Sequence, residues 1–420
     1  MDKFIDELEA RFLRYVQMDT QSDETSRSVP STEKQRDLLR LLRQELEALG
    51  AHDVELTDYA CLLATIPATV SGDSQVPTVA FLAHVDTSPD FSGHGVRPVV
   101  HRNYDGQPIV LPDDTTQIID PDEFPELAKK VGYDVVTASG TTLLGADDKA
   151  GVAIMMTLAA HLLGAPQIPH GPVRLCFTPD EEIGRGVEHL TPEDLAADVG
   201  YTLDGGSVGE VTFESFSADK ALVTITGVST HTGKAKGKMV NATRFATRFA
   251  QMLPQESCTP ETTEDREGFI HLYRMQGATA KVELHFLLRD FEMEGLRAQG
   301  ALLRKLAASL MAEEPRLQIE VDIMPQYRNM RYWLEKDMLP VELALQALER
   351  QDIEADTHPI RGGTDGAGLT AKGVPTPNLF TGMQNPHSPL EWISLQDMAT
   401  STQFCLDLVQ LWAGQDTERR

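Results

Sequence analysis

The 420-residue chain is short of positive charge. Lys and Arg number 37 against 64 Asp and Glu, a formal net charge of −27. That balance repels phosphate backbones and anionic lipid surfaces, so neither nucleic acid nor a membrane is expected as a partner. Cysteine is scarce as well. Cys61, Cys176, Cys258 and Cys405 lie far apart with no C-x-x-C spacing, and they read as small buried residues suited to a reducing cytoplasm. No apolar run nears the roughly 20 residues that span a bilayer. The opening MDKFIDELEARFLRYV has the pattern of an acidic amphipathic helix, unlike a secretory leader. A cytoplasmic globular protein of two or three domains is the expectation.

Several catalytic signatures are also missing. No H-E-x-x-H occurs. GGSVG (205–209) has nucleophile-elbow spacing, but the following VTFESF reads as a strand where that motif needs a helix. GVSTHTGK (227–234) has one residue too many between its glycines for a P-loop, and Ala235 stands where Ser or Thr is required.

What remains is a clear alternation of strands and helices. CLLATIPA (61–68), PTVAFLAHVD (77–86), PVRLCFTP (172–179) and VGYTLDGG (199–206) read as strands. RDLLRLLRQELEALG (36–50), capped from near Ser31, reads as a helix, as do the apolar run after Ala146 and a segment near 187–197. The stretch 87–142 is rich in Pro, Gly, Asp and Thr and predicts loops with a short hairpin. Such alternation implies a mixed, mostly parallel sheet flanked by helices. The pattern then changes. KALVTITGV (220–228), a helix over 242–253, strands near 269–276 and 280–291, a helix over 295–311 and a strand over 316–324 approximate a ferredoxin-like βαββαβ unit. This predicts a catalytic domain over 1–212 and 328–420 with an inserted domain over 213–327.

Acids and histidines gather at the ends of the first set of strands. His84 and Asp86 close one, with i, i+2 spacing that places both on one face. Glu181 and Glu182 follow another, and Asp204 ends a third. Asp147 and Asp148 sit side by side where an apolar helix opens. Each has a bland alternative: a helix cap for the Asp pair, a solvated turn for the Glu pair, a turn residue for Asp204. Taken together they put acids and a histidine at the carboxyl edge of an open α/β sheet, where sites form. Oxygen and nitrogen donors of this kind suit zinc, manganese or cobalt. One carboxylate can bridge two ions that share a water and polarise a carbonyl, with a second acid free to move the proton.

DTQS and VPSTEKQ (19–35), AHVDTSPD (83–90), LLGADDKAG (143–151), FTPDEEIG (177–184), LDGG (203–206), AKGKMVNA (235–242), RGGTDGA (361–367) and PNLFTG (377–382) together resemble the M20 metallopeptidases, in their tripeptide aminopeptidase branch. The resemblance runs nearly end to end. It implies a zinc-peptidase-like catalytic domain with an inserted lid, two Zn2+ per chain (Mn2+ or Co2+ possible), and small peptides as substrates. It implies that His84, Asp147 and Asp204 hold one ion, and Asp147, Glu182 and His387 the other. Glu181 would be the general base, Asp86 would orient His84, and His231 of the inserted domain would meet the developing oxyanion. Arg361 is a candidate for gripping a peptide carboxylate, and Asn241 for binding the substrate backbone. A homodimer through the lid is a further implication. The chain departs from the family pattern at Thr232, where proline is usual, and around His387 in MQNPHSPLEW (383–392). Alternative readings are a dipeptidase, carboxypeptidase or N-acyl amino-acid deacylase with the same two-metal chemistry, or a non-catalytic, two-lobed peptide-binding protein.

Overall fold

A computed structural model describes residues 2–70 and 76–415. They form two compact units. The first comprises Met1–Phe213, Trp333–His358 and Thr364–Arg420, the second Glu214–Tyr332 and Pro359–Gly363.

The first unit is built on a seven-stranded sheet. Its strands are β1 (His52–Leu56), β2 (Leu62–Ile66), β3 (Val79–His84), β4 (Val173–Thr178), β5 (Val199–Gly205), β6 (Val211–Thr212) and, late in the chain, β11 (Asn378–Phe380). The spatial order is β1-β2-β4-β3-β5-β11-β6. The four strands β4, β3, β5 and β11 run parallel, and antiparallel pairings close both edges. Strand β3 is buried at every position. A continuous apolar run of that kind suits a strand with both faces covered.

The covering layer on one side is helix α3 (Ala146–Gly164), packed on β3 and β5 and against α1 (Asp2–Val16) and α8 (Leu395–Ala413). Every residue of α3 from Asp148 to Ala159 is buried, which explains why this helix is apolar all round instead of striped. The other face of the sheet buries Leu63, Ala80, Leu82 and Cys176 against Leu190, Leu195 and Leu369. No helix among the described residues is long and apolar enough to cross a membrane.

Three local expectations are corrected. The helix predicted from near Ser31 starts at Gln35, because the Ser31 backbone N–H and hydroxyl donate instead to the Asp180 carboxylate. The helix predicted near 187–197 is a single turn, Pro192–Leu195, stopped by Ala196 in a left-handed conformation. The loop-rich stretch 87–142 does contain a hairpin, Ile109–Val110 with Ile118–Ile119. It also shares a three-stranded sheet, Val99–His101 and Val135–Thr137 with Trp392–Ser394.

In the second unit, β7 (Ser217–Thr226), α4 (Ala242–Gln251), β8 (Phe269–Gly277), β9 (Lys281–Asp290), α5 (Met293–Glu313) and β10 (Gln318–Tyr327) follow one another. The sheet order is β8-β9-β7-β10, antiparallel throughout. Val282, Leu284, Phe286 and Leu288 alternate onto its buried face, in one apolar cluster with Phe249 of α4 and Leu303 and Leu310 of α5. Each such side chain, fully buried, contributes about 1.5–3 kcal/mol.

Candidate metal centre

Because β4, β3, β5 and β11 lie side by side and parallel, their carboxyl ends open along one edge of the sheet, the usual location of sites in open α/β sheets. Each end delivers a polar side chain. His84 is the last residue of β3, Asp204 lies in β5, Glu181 and Glu182 form a short turn after β4, and His387 follows β11. Asp147 reaches the same edge from the start of α3.

The five predicted ligands fall into two groups that share one member. Asp147 Oδ1 is 2.9 Å from His84 Nε2, which is 3.8 Å from Asp204 Oδ1. Asp147 Oδ2 is 3.1 Å from His387 Nε2, which is 2.9 Å from Glu182 Oε2. Within each group the donor atoms lie within 4.8 Å of one another. The two oxygens of one carboxylate thus face different sets of donors.

The adjacent acids divide their work. Asp147 and Asp148 have non-helical backbone angles, and the peptide between them is cis. Asp148 Oδ1 accepts the Gly151 N–H, the i to i+3 bond of a helix cap. Its Oδ2 accepts the backbone N–H of His84. The capping role therefore belongs to Asp148, which leaves Asp147 turned toward the histidines.

Asp86 contacts more than His84. The His84 ring Nδ1 sits 3.0 Å from the Asp86 carbonyl and 3.4 Å from its carboxylate. The carboxylate also accepts the N–H groups of Glu181 and Glu182, so it joins the β3 and β4 ends. Sequence reasoning missed several supporting acids. Asp180, in a left-handed conformation at φ 56°, receives Ser31 and Gln35. Asp90 lies 3.2 Å from His387 Nδ1. Glu391 is 1% exposed and accepts three backbone N–H groups, from Leu144, Gly145 and Asp147. Only the nearness of these acids to the motifs hints at them in the sequence.

So many buried carboxylates disfavour their own ionisation. Burial, then the charge of Asp204, holds Glu181 well above the usual carboxylate range. Burial and Asp147 lift Glu182 to about 7, and Asp204 is likewise raised by burial and by Asp147. Burial also works against ionisation of Asp147, but hydrogen bonds from His387 and His84 outweigh it and its pKa falls. The histidines respond in kind. Burial opposes protonation of His387, yet Asp147 and Glu182 push it up to about 11. His84 is raised by Asp147 and Asp86 against the same opposition. The site calls for positive charge, which protons supply only by occupying the donors themselves.

The residues fit a pair of divalent cations. Each group offers one histidine nitrogen and two carboxylates, a donor set suited to zinc, manganese or cobalt. Glu182 Oε1 is buried without a hydrogen-bond partner, although buried acceptors are ordinarily satisfied. A cation beside Glu182 would meet that need.

The remaining candidates belong to the second unit. His231 caps a short turn, its Nδ1 accepting the Gly233 N–H, and is exposed. Asn241 caps α4 through Thr243 N–H. The Arg361 guanidinium donates to the carbonyls of Asp265 and Glu267 and to the Thr263 hydroxyl. It lies over the rings of Phe216 and Phe269. Its fork is thus occupied within its own unit, where a free fork would be needed to grip a carboxylate.

A sheet edge carrying two donor groups around one shared carboxylate, with a further acid beside them, is the architecture of a metallohydrolase. The chain belongs to the peptidase family M20/M25/M40, whose sequence model matches residues 132–411. Proteins named peptidase T are among its relatives. That of Geobacillus kaustophilus is 44% identical over 406 residues, 97% of this chain and 98% of the relative. The crystal structure of an aminopeptidase, PepT, from Bacillus cereus superposes with a TM-score of 0.74 at 25% identity, covering 97% of this chain and 99% of that one. A Staphylococcus aureus tripeptidase shares the fold with a TM-score of 0.76 at 22% identity, covering 98% and 99%.

Proposed function

We propose that this protein is a two-cation aminopeptidase that removes the N-terminal residue of tripeptides. The observation that carries the reading is Asp147, whose two oxygens face His84 and His387 respectively. The names of the close relatives, peptidase T, supply the substrate class. His84, Asp147 and Asp204 would hold one ion and Asp147, Glu182 and His387 the other, with zinc the first choice and manganese or cobalt as substitutes. When bound, such a pair lowers the pKa of a water and polarises the scissile carbonyl.

Glu181 belongs to neither donor group, although its neighbour Glu182 does. Asp86 fixes its backbone, and burial with the charge of Asp204 raises its proton affinity, which makes its ionised form the stronger base. A carboxylate so placed takes the proton of the attacking water and returns it to the departing amine. His231 is kept as the group that meets the developing oxyanion, and Asn241 as a substrate contact. A cytoplasmic setting accords with the scattered cysteines.

A panel of di-, tri- and tetrapeptides with acylated amino acids tests the reading. Tripeptides with a free amino terminus are expected to be cleaved fastest, releasing the first residue. Cleavage confined to blocked amino acids would assign the chain to the deacylases instead.

The titration of the site gives a second test. At pH 7 His387, near 11, carries a proton, and Glu182, near 7, is about half protonated. Both must be deprotonated to accept a cation. Cation binding is therefore expected to release protons, and affinity to rise about tenfold per pH unit for each proton released. Calorimetry of Zn2+ binding in buffers of different ionisation enthalpy counts those protons directly. Affinity that stays flat from pH 6 to 8 would contradict the assigned donors.

A further inference from the structure

His387 stands on a loop that its own hydrogen bonds close. Gln384 and Trp392 exchange backbone bonds of 2.9 and 3.1 Å at the base, and within the loop Glu391 N–H reaches the Ser388 carbonyl. The Asn385 side chain spans to the Leu390 carbonyl, and His387 itself takes a left-handed conformation at φ 60°. From this base the Glu391 side chain crosses to the segment that opens α3. Its Oε2 accepts Leu144 and Gly145 N–H, both at 2.7 Å, and its Oε1 accepts Asp147 N–H at 2.9 Å. Three donors converge on one buried side chain. Only a carboxylate meets all three without presenting a donor of its own.

We infer that Glu391 is a positioning residue that holds the His387 loop against the backbone of Asp147 and thereby sets the geometry of the Asp147–Glu182–His387 cation site. The inference rests on the two-cation reading given above. It goes further in separating the two sites. The His84 side of Asp147 has its own tie, since Asp148 receives both the His84 and Gly151 N–H groups. The His387 side depends on Glu391. Groups that orient ligands in this way typically change metal affinity about 10–100-fold when removed.

The test compares cation binding by the full-length wild type and Glu391→Gln, using Zn2+ calorimetry and the visible absorption of the Co2+-loaded protein. Glutamine keeps the shape but turns one oxygen into an N–H donor. That donor must confront either Asp147 N–H or the Leu144–Gly145 pair. The expected result is a second cation bound about 10–100-fold more weakly, a first cation changed less than about threefold, and a Co2+ spectrum altered only at the second equivalent. His387→Ala serves as the reference for a lost second site. Should the glutamine variant fail to fold, Glu391→Asp keeps the charge on a shorter stem and is expected to give an intermediate loss at the same site. Two cations bound as tightly as in the wild type, or equal weakening of both, would overturn the inference while leaving the two-cation reading intact. Wild-type protein that binds fewer than two cations would overturn both.

Discussion

Glu181→Ala is expected to retain both cations and to lose about 10²–10⁴-fold in kcat, the usual contribution of a positioned general base. The two halves of that expectation come from different facts. Retention follows because Glu181 is outside both donor groups and because Asp86 holds the turn through backbone N–H groups that alanine preserves. Loss follows because, among the described residues, the other acids around the shared carboxylate are engaged. Asp147, Glu182 and Asp204 belong to the candidate donor groups, Asp86 is engaged with two backbone N–H groups, and Asp148 caps α3. Steady-state kinetics beside metal analysis of the same preparation checks both halves. Unchanged turnover would remove Glu181 from the mechanism. A matching loss of metal would make it a ligand.

Asp147→Asn is expected to be more damaging still. An amide offers one oxygen where the carboxylate offers two, and its nitrogen cannot coordinate. Whichever way it turns, one of the two sets of donors loses its shared member, and the negative charge that draws both cations is gone. Bound metal should fall to about one ion per chain or fewer. Activity should approach the uncatalysed level, which for enzymes generally lies at least about 10⁶-fold below. Elemental analysis after dialysis, with turnover of a tripeptide, measures both. A variant that kept two ions and most of its activity would show that the carboxylate does not bridge.

Much of this site could be read from residue order, and the reason is its topology. A parallel strand ends at the functional edge, so a polar residue closing an apolar run, as in Phe81–His84 or Tyr201–Asp204, points to that edge without knowledge of the fold. The Asp pair was legible as an anomaly and the resemblance already singled out Asp147, but the reason for the division, the two backbone N–H groups held by Asp148, shows only in the structure. His387 has no apolar strand immediately before it, and only likeness to other sequences singles it out. Glu391 was invisible, because a glutamate before a tryptophan in a turn-rich stretch looks like surface. Its partners are roughly two hundred and fifty residues away, and nothing local reports them. Arg361 is the opposite case. A conspicuous basic residue in a glycine-rich motif suggests a ligand contact, and nothing local reports the hydrogen bonds it makes near Asp265 and Glu267 or its place over Phe216 and Phe269. The strand β1 and the sheet formed with Trp392–Ser394 were missed for the same reason as Glu391, since short strands are defined by distant partners.

The site draws on β3 near the start of the chain and on a loop beyond β11 near its end. During synthesis the first donor group is complete once Asp204 has left the ribosome, whereas His387 and Glu391 emerge nearly two hundred residues later. A chain that ends before His387 therefore lacks a member of the second donor group, and also the Glu391 carboxylate that receives the Asp147 N–H.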